Sequence, residues 1–365
     1  MRAGGYVYLF AQAGVSAPLA LAMSLLFYAL NVATGLIGGV LYAFEGVRGY
    51  AEDRKRTMTM TKRTCEFEEL VQFAYRHTLG ELGVENIEPS LRLEFESLQK
   101  AHDAVHEFML LAPLLFPSQA NAEFHRRSAF LLPYQGAAFD HAHRSLMESL
   151  CGYYNVAFVL LRTTLELVIK GAFWECLSHK KYRQNSQALD KDGRGKKIKE
   201  WLNGIFNSVP NVEEVFETIS ASIYDKIRPV IEEAEFRPGV KTIVRQLSQW
   251  GIFDPIPDPT TSVYEEIYGR LSADVHVAPD RTDIGQRMLD PSSQILDQEI
   301  LQNTLSEYAY CLHQVMDLAI LVELNILKDL IEEYDEAKAN LSERLETLEQ
   351  LGLEYSLKRA KELVR

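Results

Sequence analysis

Two short segments of this chain carry residue types at spacings that could do chemistry. The first is Tyr268-Gly-Arg-Leu-Ser-Ala-Asp-Val-His-Val-Ala-Pro-Asp-Arg281, in which Arg270 and His276 follow a Pro-rich turn with Ser272, Asp274, Asp280 and Arg281 around them. A histidine titrates near neutrality and can move a proton, while an arginine grips a phosphate in a forked geometry and steadies developing negative charge. The plainer alternative is a helix end that His276 caps, with Asp274 as its local hydrogen-bond partner. The second segment is Leu161-Arg-Thr-Thr-Leu-Glu-Leu-Val-Ile-Lys170, which sets Arg162, Glu166 and Lys170 on one helix face at i, i+4 and i+8. Its neighbours are apolar, so these charges must pair or face a cleft, because an unpaired buried ion is costly. They either support Arg270 and His276 or form an internal ion pair that holds two helices in register.

Other chemistry finds little footing. The chain has no Gly-x-Ser-x-Gly elbow, no His-Glu-x-x-His zinc helix and no dinucleotide fingerprint. His141 and His143 could pair with Asp140 or Glu148 around a metal, but residues at i and i+2 diverge on a helix, so neither a metal nor a cofactor is expected. His125-Arg126-Arg127 reads as a basic loop or a helix start. Cys65, Cys151, Cys176 and Cys311 lie far apart without metal-ligand spacing and read as buried thiols. Lys191-Asp-Gly-Arg-Gly-Lys-Lys197, within the polar stretch 179–197, reads as a surface loop, and it lacks the ending of a phosphate-binding loop.

The elements that must position these residues are helical. Phe67, Leu70, Val71 and Ala74 recur at three-and-four spacing, and Leu91, Leu93, Phe95, Leu98, Ala101 and Val105 continue the pattern. Pro113 and Pro117 break it. A long apolar helix is predicted from about 137 to 177 with an interruption at Gly152, then helices over 197–206, 212–235 and 238–249. Pro255, Pro257 and Pro259 force an extended turn. From Asp297 a long helical pattern runs toward the C-terminus, where Leu341, Leu345 and Leu348 among dense charges allow either a helix docked on its own domain or a dimer zipper.

The N-terminus differs in kind. From Ala3 to Phe44 there is no Asp, Glu, Lys or Arg, and the stretch Ala17 to Phe44 exceeds the ~20 apolar residues that cross a hydrocarbon core. Residues 5–14 are too short to span and are expected at the outer interface. Arg48, Arg54, Lys55, Arg56, Lys62 and Arg63 follow the span, so the positive-inside bias places the remainder in the cytoplasm. The reading is an all-α, single-pass cell-membrane protein: anchor 1–48 (span 17–44), helical region 49–134, helical bundle 135–330 and charged C-terminal arm 331–365. The net charge of −13 argues against broad adhesion to phosphate backbones or the anionic inner leaflet.

Two resemblances follow from these residues. Gln12-Ala-Gly-Val-Ser-Ala-Pro-Leu-Ala-Leu-Ala22, Leu26-Phe-Tyr-Ala-Leu-Asn31 and Gly35-Leu-Ile-Gly-Gly-Val-Leu41 resemble the last membrane helix of the lysylphosphatidylglycerol synthase/flippase-like family. That family is polytopic, so the likeness implies a truncated or fused remnant and carries over no lipid activity. The Arg-x-x-x-Glu of the long core helix and the later Arg-x(5)-His resemble the HEPN superfamily over about 135–330. This implies a metal-independent endoribonuclease site, commonly shared by two protomers, in which Arg270 would bind the scissile phosphate and His276 would support attack by the ribose 2′-hydroxyl. Leu271 stands where that family usually has a polar residue. The expectations are therefore RNA cleavage by Arg270 and His276 across a homodimer, with Arg162, Glu166 and Asp274 in support, or a catalytically silent, membrane-tethered interaction or sensor module that binds a protein partner.

Overall fold

A computed structural model of the chain describes residues 84–117, 119–120, 124, 127, 130–207, 236–275 and 298–365. The expected membrane span 17–44, the interfacial stretch 5–14, Cys65, the pattern beginning at Phe67, the helix expected over 212–235, His276, Asp280 and Arg281 lie outside the described residues, as do His125 and Arg126. Every regular element among the described residues is helical. In chain order these are α1 (Val84–Leu93), α2 (Phe95–Leu114), α3 (Leu131–Leu150), α4 (Tyr154–Ser178), α5 (Lys180–Gln184), α6 (Gln187–Asp190), α7 (Gly193–Asn207) and α8 (Val240–Gln249). A π-helical stretch, Thr260–Tyr268, runs into α9 (Gly269–Val275), followed by α10 (Gln298–Ile326), α11 (Lys328–Glu333), α12 (Asp335–Leu351) and α13 (Glu354–Leu363).

The centre of the bundle is α10. Every residue of this helix from Val315 to Ile326 is buried, so it is covered on all sides rather than along one stripe, as a helix surrounded by others must be. Among the described residues it is the one helix long and apolar enough to cross a membrane, but 83% of its most apolar stretch is covered by the protein itself. It is a core helix here. Around it pack α1, α2, α4 and α13, while α3 lies against α2 and α4.

The helix expected over 137–177 is an antiparallel pair, α3 and α4. The chain reverses at Gly152, whose φ of +82° is open to glycine and costly for other residues. The polar stretch 179–197, expected as a loop, is mostly helical, because its polar residues serve as caps. Arg183 is buried and donates through one guanidinium nitrogen to the Leu177 and Ser178 carbonyls, satisfying acceptors at the C-terminal end of α4. The Ser186 hydroxyl accepts from the Leu189 N–H at the start of α6. The Asp192 carboxylate accepts from the Arg194 and Gly195 N–H groups at the start of α7.

The C-terminal helices dock on the bundle. Leu341 and Leu348 of α12 are buried, and Arg344 forms a close ion pair with the buried Glu107 of α2. Gly352, at φ +72°, lets the Leu353 N–H return to the Leu348 carbonyl, ending α12 and turning the chain into α13. Asp317 of α10 then accepts from the Tyr355 and Ser356 N–H groups in the first turn of α13. Asn325, also on α10, donates to the Ile252 and Asp254 carbonyls and accepts from Arg359, tying the Pro-rich turn and α13 to the same helix.

One buried polar group of α10 is not put to such use. Glu323 is wholly buried and neither oxygen makes a well-formed hydrogen bond among the described residues. Burial pushes its carboxyl well above the ordinary value of 4.5, against the influence of Gln135 and with that of Glu107. The folded state therefore holds this proton to higher pH than the unfolded chain, and stability falls as pH rises above about 4.5. Glu323→Gln should be more stable than the parent at pH 7 by about 1–3 kcal/mol. The gain should vanish as pH is lowered through 4.5 toward 4. Denaturant titrations of both proteins across this range check it, and a gain independent of pH would contradict the buried-acid assignment.

Candidate functional site

Arg270 is delivered by an unusual piece of helix. Pro255, Pro257 and Pro259 end the preceding turn, and the Asp258 carboxylate accepts from the Thr261 N–H and hydroxyl to start the next element. The following stretch has a wider turn, closed by the Gly269 N–H donating to the Tyr264 carbonyl five residues back. Tyr268 and Arg270 leave it toward different neighbours. Leu271, next in the chain, is fully buried and belongs to the core. Its apolar character at a position where a polar residue was expected thus has a packing reason.

Tyr268 meets α4. Its hydroxyl accepts from Arg162 at 2.6 Å and donates to Glu166 Oε1 at 3.0 Å, while the Arg162 guanidinium also lies 4.9 Å from the Tyr268 ring centre. Glu166 takes Arg162 at 3.1 Å on the same oxygen and Lys170 at 2.6 Å on the other. Burial opposes the charged carboxylate, but the hydrogen bond and charge of Lys170, the Tyr268 hydroxyl and the Arg162 charge outweigh it and hold Glu166 below its usual range. The stripe at i, i+4 and i+8 is thus an ion-pair network closed by a tyrosine from the neighbouring helix. It fastens α4 to the end of the π-helical stretch.

Arg270 faces α10 instead. Its guanidinium lies 4.0 Å from Cys311 Sγ and 5.7 Å from the ring centre of Tyr310. Among the described residues it borders a cleft of about 610 Å³, together with Glu266, Tyr310, Gln314, Glu354 and Tyr355. Two further lining groups are already engaged: His313 bonds the Leu351 carbonyl at 2.7 Å and Asp317 caps α13. The structure therefore gives the two motifs different partners, Arg162 and Glu166 meeting Tyr268 while Arg270 meets Tyr310. Asp274 falls on α9, and His276 lies outside the described residues.

A third cluster was not visible as such in the sequence. His102 and His106, one turn apart on α2, meet His143 of α3: the His106 Nε2 lies 3.1 Å from His102 Nε2 and 3.3 Å from His143 Nε2. His141 bonds the Ala137 carbonyl of its own helix instead. The i, i+4 histidine pair on α2 was the available signal, but its third member depends on how α2 packs against α3. Among the described residues the cysteines do not add a reactive site: Cys176 and Cys311 are buried, and burial together with the Glu148 charge pushes the Cys151 thiol up, away from the thiolate.

Compared with known proteins, the chain matches no family model, no curated protein and no solved structure.

If the tyrosine bridge closes the ion-pair network, Tyr268→Phe should destabilise the fold by about 1–2 kcal/mol in urea unfolding. Arg270→Ala, on an exposed side chain, should stay within about 0.5 kcal/mol of the parent. Because the folded-state pKa of Glu166 is depressed, its contribution is present above the ordinary 4.5 and is lost as pH falls through the lower folded value. The stability gap between the parent and Glu166→Gln should accordingly narrow as pH drops below about 4.5.

Proposed function

We propose that this chain is a membrane-tethered helical interaction module of HEPN-like organisation, in which the Arg270 cleft receives a protein partner. The observation that carries this reading is the character of the cleft. Arg270 is its one Arg or Lys among the described residues, flanked by the carboxylates Glu266 and Glu354 and by the exposed aromatic rings of Tyr310 and Tyr355. Tyrosines around a single arginine suit a protein interface, where aromatic and arginine side chains supply most of the binding energy. A phosphate backbone would meet repulsion from the two carboxylates and from a chain of net charge −13. The tether is the apolar run 17–44, and the basic residues after it support a cytoplasmic position for the helical domain.

A second reading, metal-independent RNA cleavage by Arg270 and His276 across a homodimer, has one observation in its favour. Arg270 is exposed at a cleft and its guanidinium makes no carboxylate pair among the described residues, so it can reach a ligand. The silent module and the nuclease differ on one experiment. The purified full chain in detergent is incubated with several RNAs in chelator, beside Arg270→Ala and His276→Ala. The interaction reading expects intact RNA, together with a defined adduct in cells when a photo-crosslinking residue replaces Gln314, lost on Arg270→Glu. RNA cleavage that both alanine variants abolish would establish the nuclease instead.

The tether is tested separately. Deleting residues 17–44 should move the protein from the membrane fraction to the soluble fraction of the cell, whereas retention in the membrane would remove the anchor from this reading.

A further inference from the structure

We propose that His102, His106 and His143 form a site for a divalent transition-metal ion of the zinc class, binding it through three imidazole Nε2 atoms and joining α2 to α3. The three ligand atoms lie within 4.8 Å of one another. In a tetrahedral site with Zn–N bonds of about 2.0–2.1 Å, ligand nitrogens stand about 3.3–3.4 Å apart. His106 Nε2 lies 3.1 Å from His102 Nε2 and 3.3 Å from His143 Nε2, which already approaches that spacing. The remaining separation closes by rotation of half-exposed rings.

The far sides of two rings are held as metal-binding imidazoles require. His102 Nδ1 lies 3.0 Å from Asp103 Oδ1 and His143 Nδ1 lies 3.3 Å from the Phe139 carbonyl oxygen. Both partners are acceptors, so in the neutral rings each Nδ1 carries the proton and each Nε2 lone pair points into the cluster. A carboxylate or a backbone carbonyl behind a ligating histidine is the usual outer support of a metal site. Asp103 is itself oriented by the Gln99 amide, at 3.0 and 3.1 Å from its two oxygens. Phe139 packs beside His143, with ring centres 4.2 Å apart, and fixes the plane of that ring.

Without a metal the arrangement is poorly satisfied. His106 Nε2 has two nitrogens with inward lone pairs beside it and only one proton to share between them. A cation takes all three lone pairs at once. Three neutral nitrogens select zinc, copper or nickel over magnesium and calcium, which take oxygen. His106 is exposed, so a fourth coordination position remains open to water.

The probe is ZnCl2 alone, added to the purified, tag-free full chain in detergent and followed by calorimetry and by thermal unfolding. The proposal expects one zinc per chain and a rise in the unfolding midpoint, since an ion that binds only the folded state stabilises it by mass action. Co2+ in its place should give the visible absorption of a four-coordinate ion. His106→Ala and His143→Ala should each lower affinity at least 100-fold, while their metal-free midpoints show that they still fold. Asp103→Asn should weaken binding by about 10–100-fold. His141→Ala, on the same helix but outside the cluster, should bind like the parent. Absence of saturable one-to-one binding, undiminished binding in His106→Ala and His143→Ala, or equal loss in His141→Ala would overturn the assignment.

Discussion

The architecture depends on hiding α10 from water. A helix buried on every side from Val315 to Ile326 can exist outside a lipid phase only if other helices surround it, because burial of its largely apolar surface is the main source of favourable free energy on folding. That requirement recruits α2, α4 and α13 as its neighbours and leaves α3 to back α4. The same helix also fixes where the outer segments sit. Asp317 caps α13, and Asn325 holds the Ile252 and Asp254 carbonyls and takes Arg359, so these two buried polar groups of the core helix anchor peripheral pieces of chain. Glu323 is the exception, and its buried carboxyl, pushed well above the ordinary value by desolvation, gives the core a pH sensitivity.

Charge within the bundle is handled by closure. Arg162, Glu166 and Lys170 are joined by Tyr268, Glu107 is matched by Arg344, and Arg127 and Glu175 approach within 3.5 Å in the interior. Removing one member of such a set leaves its partner desolvated, so these contacts fix register more than they raise net stability. Charges committed to one another are not available to a ligand, so the α4 stripe is closed to one while the surfaces where Arg270 and the three histidines stand are not.

Those two surfaces have different characters. The Arg270 cleft is wide, aromatic and of mixed charge, bounded by the π-helical stretch, α10 and the turn into α13. The histidine cluster is small and of one chemistry, built from two adjacent helices whose packing it would reinforce. A cation held there would stiffen the α2–α3 contact on the same bundle that presents the cleft.

Much of this architecture is legible in the amino-acid sequence alone. The three-and-four periodicity identified helices throughout, the proline cluster marked the turn at 255–259, and Gly152 marked a break because a turn there needs a positive φ. The stripe Arg162, Glu166 and Lys170 was readable as one face because helical geometry alone places i and i+4 together. What local pattern could not decide was every pairing across elements. Whether Tyr268 or Arg270 would meet the stripe depended on a π-turn with no distinct periodic signature. Whether Leu341 and Leu348 would face their own domain or a second copy depended on α12 packing against α2, where Arg344 meets the buried Glu107 from a distant point in the chain. Polar residues at 183, 186 and 192 looked like loop because the composition of a cap and that of a loop are alike. His143 found its histidine partners on α2 rather than on its own helix, since a sequence records spacing along the chain and only packing brings separate helix faces together.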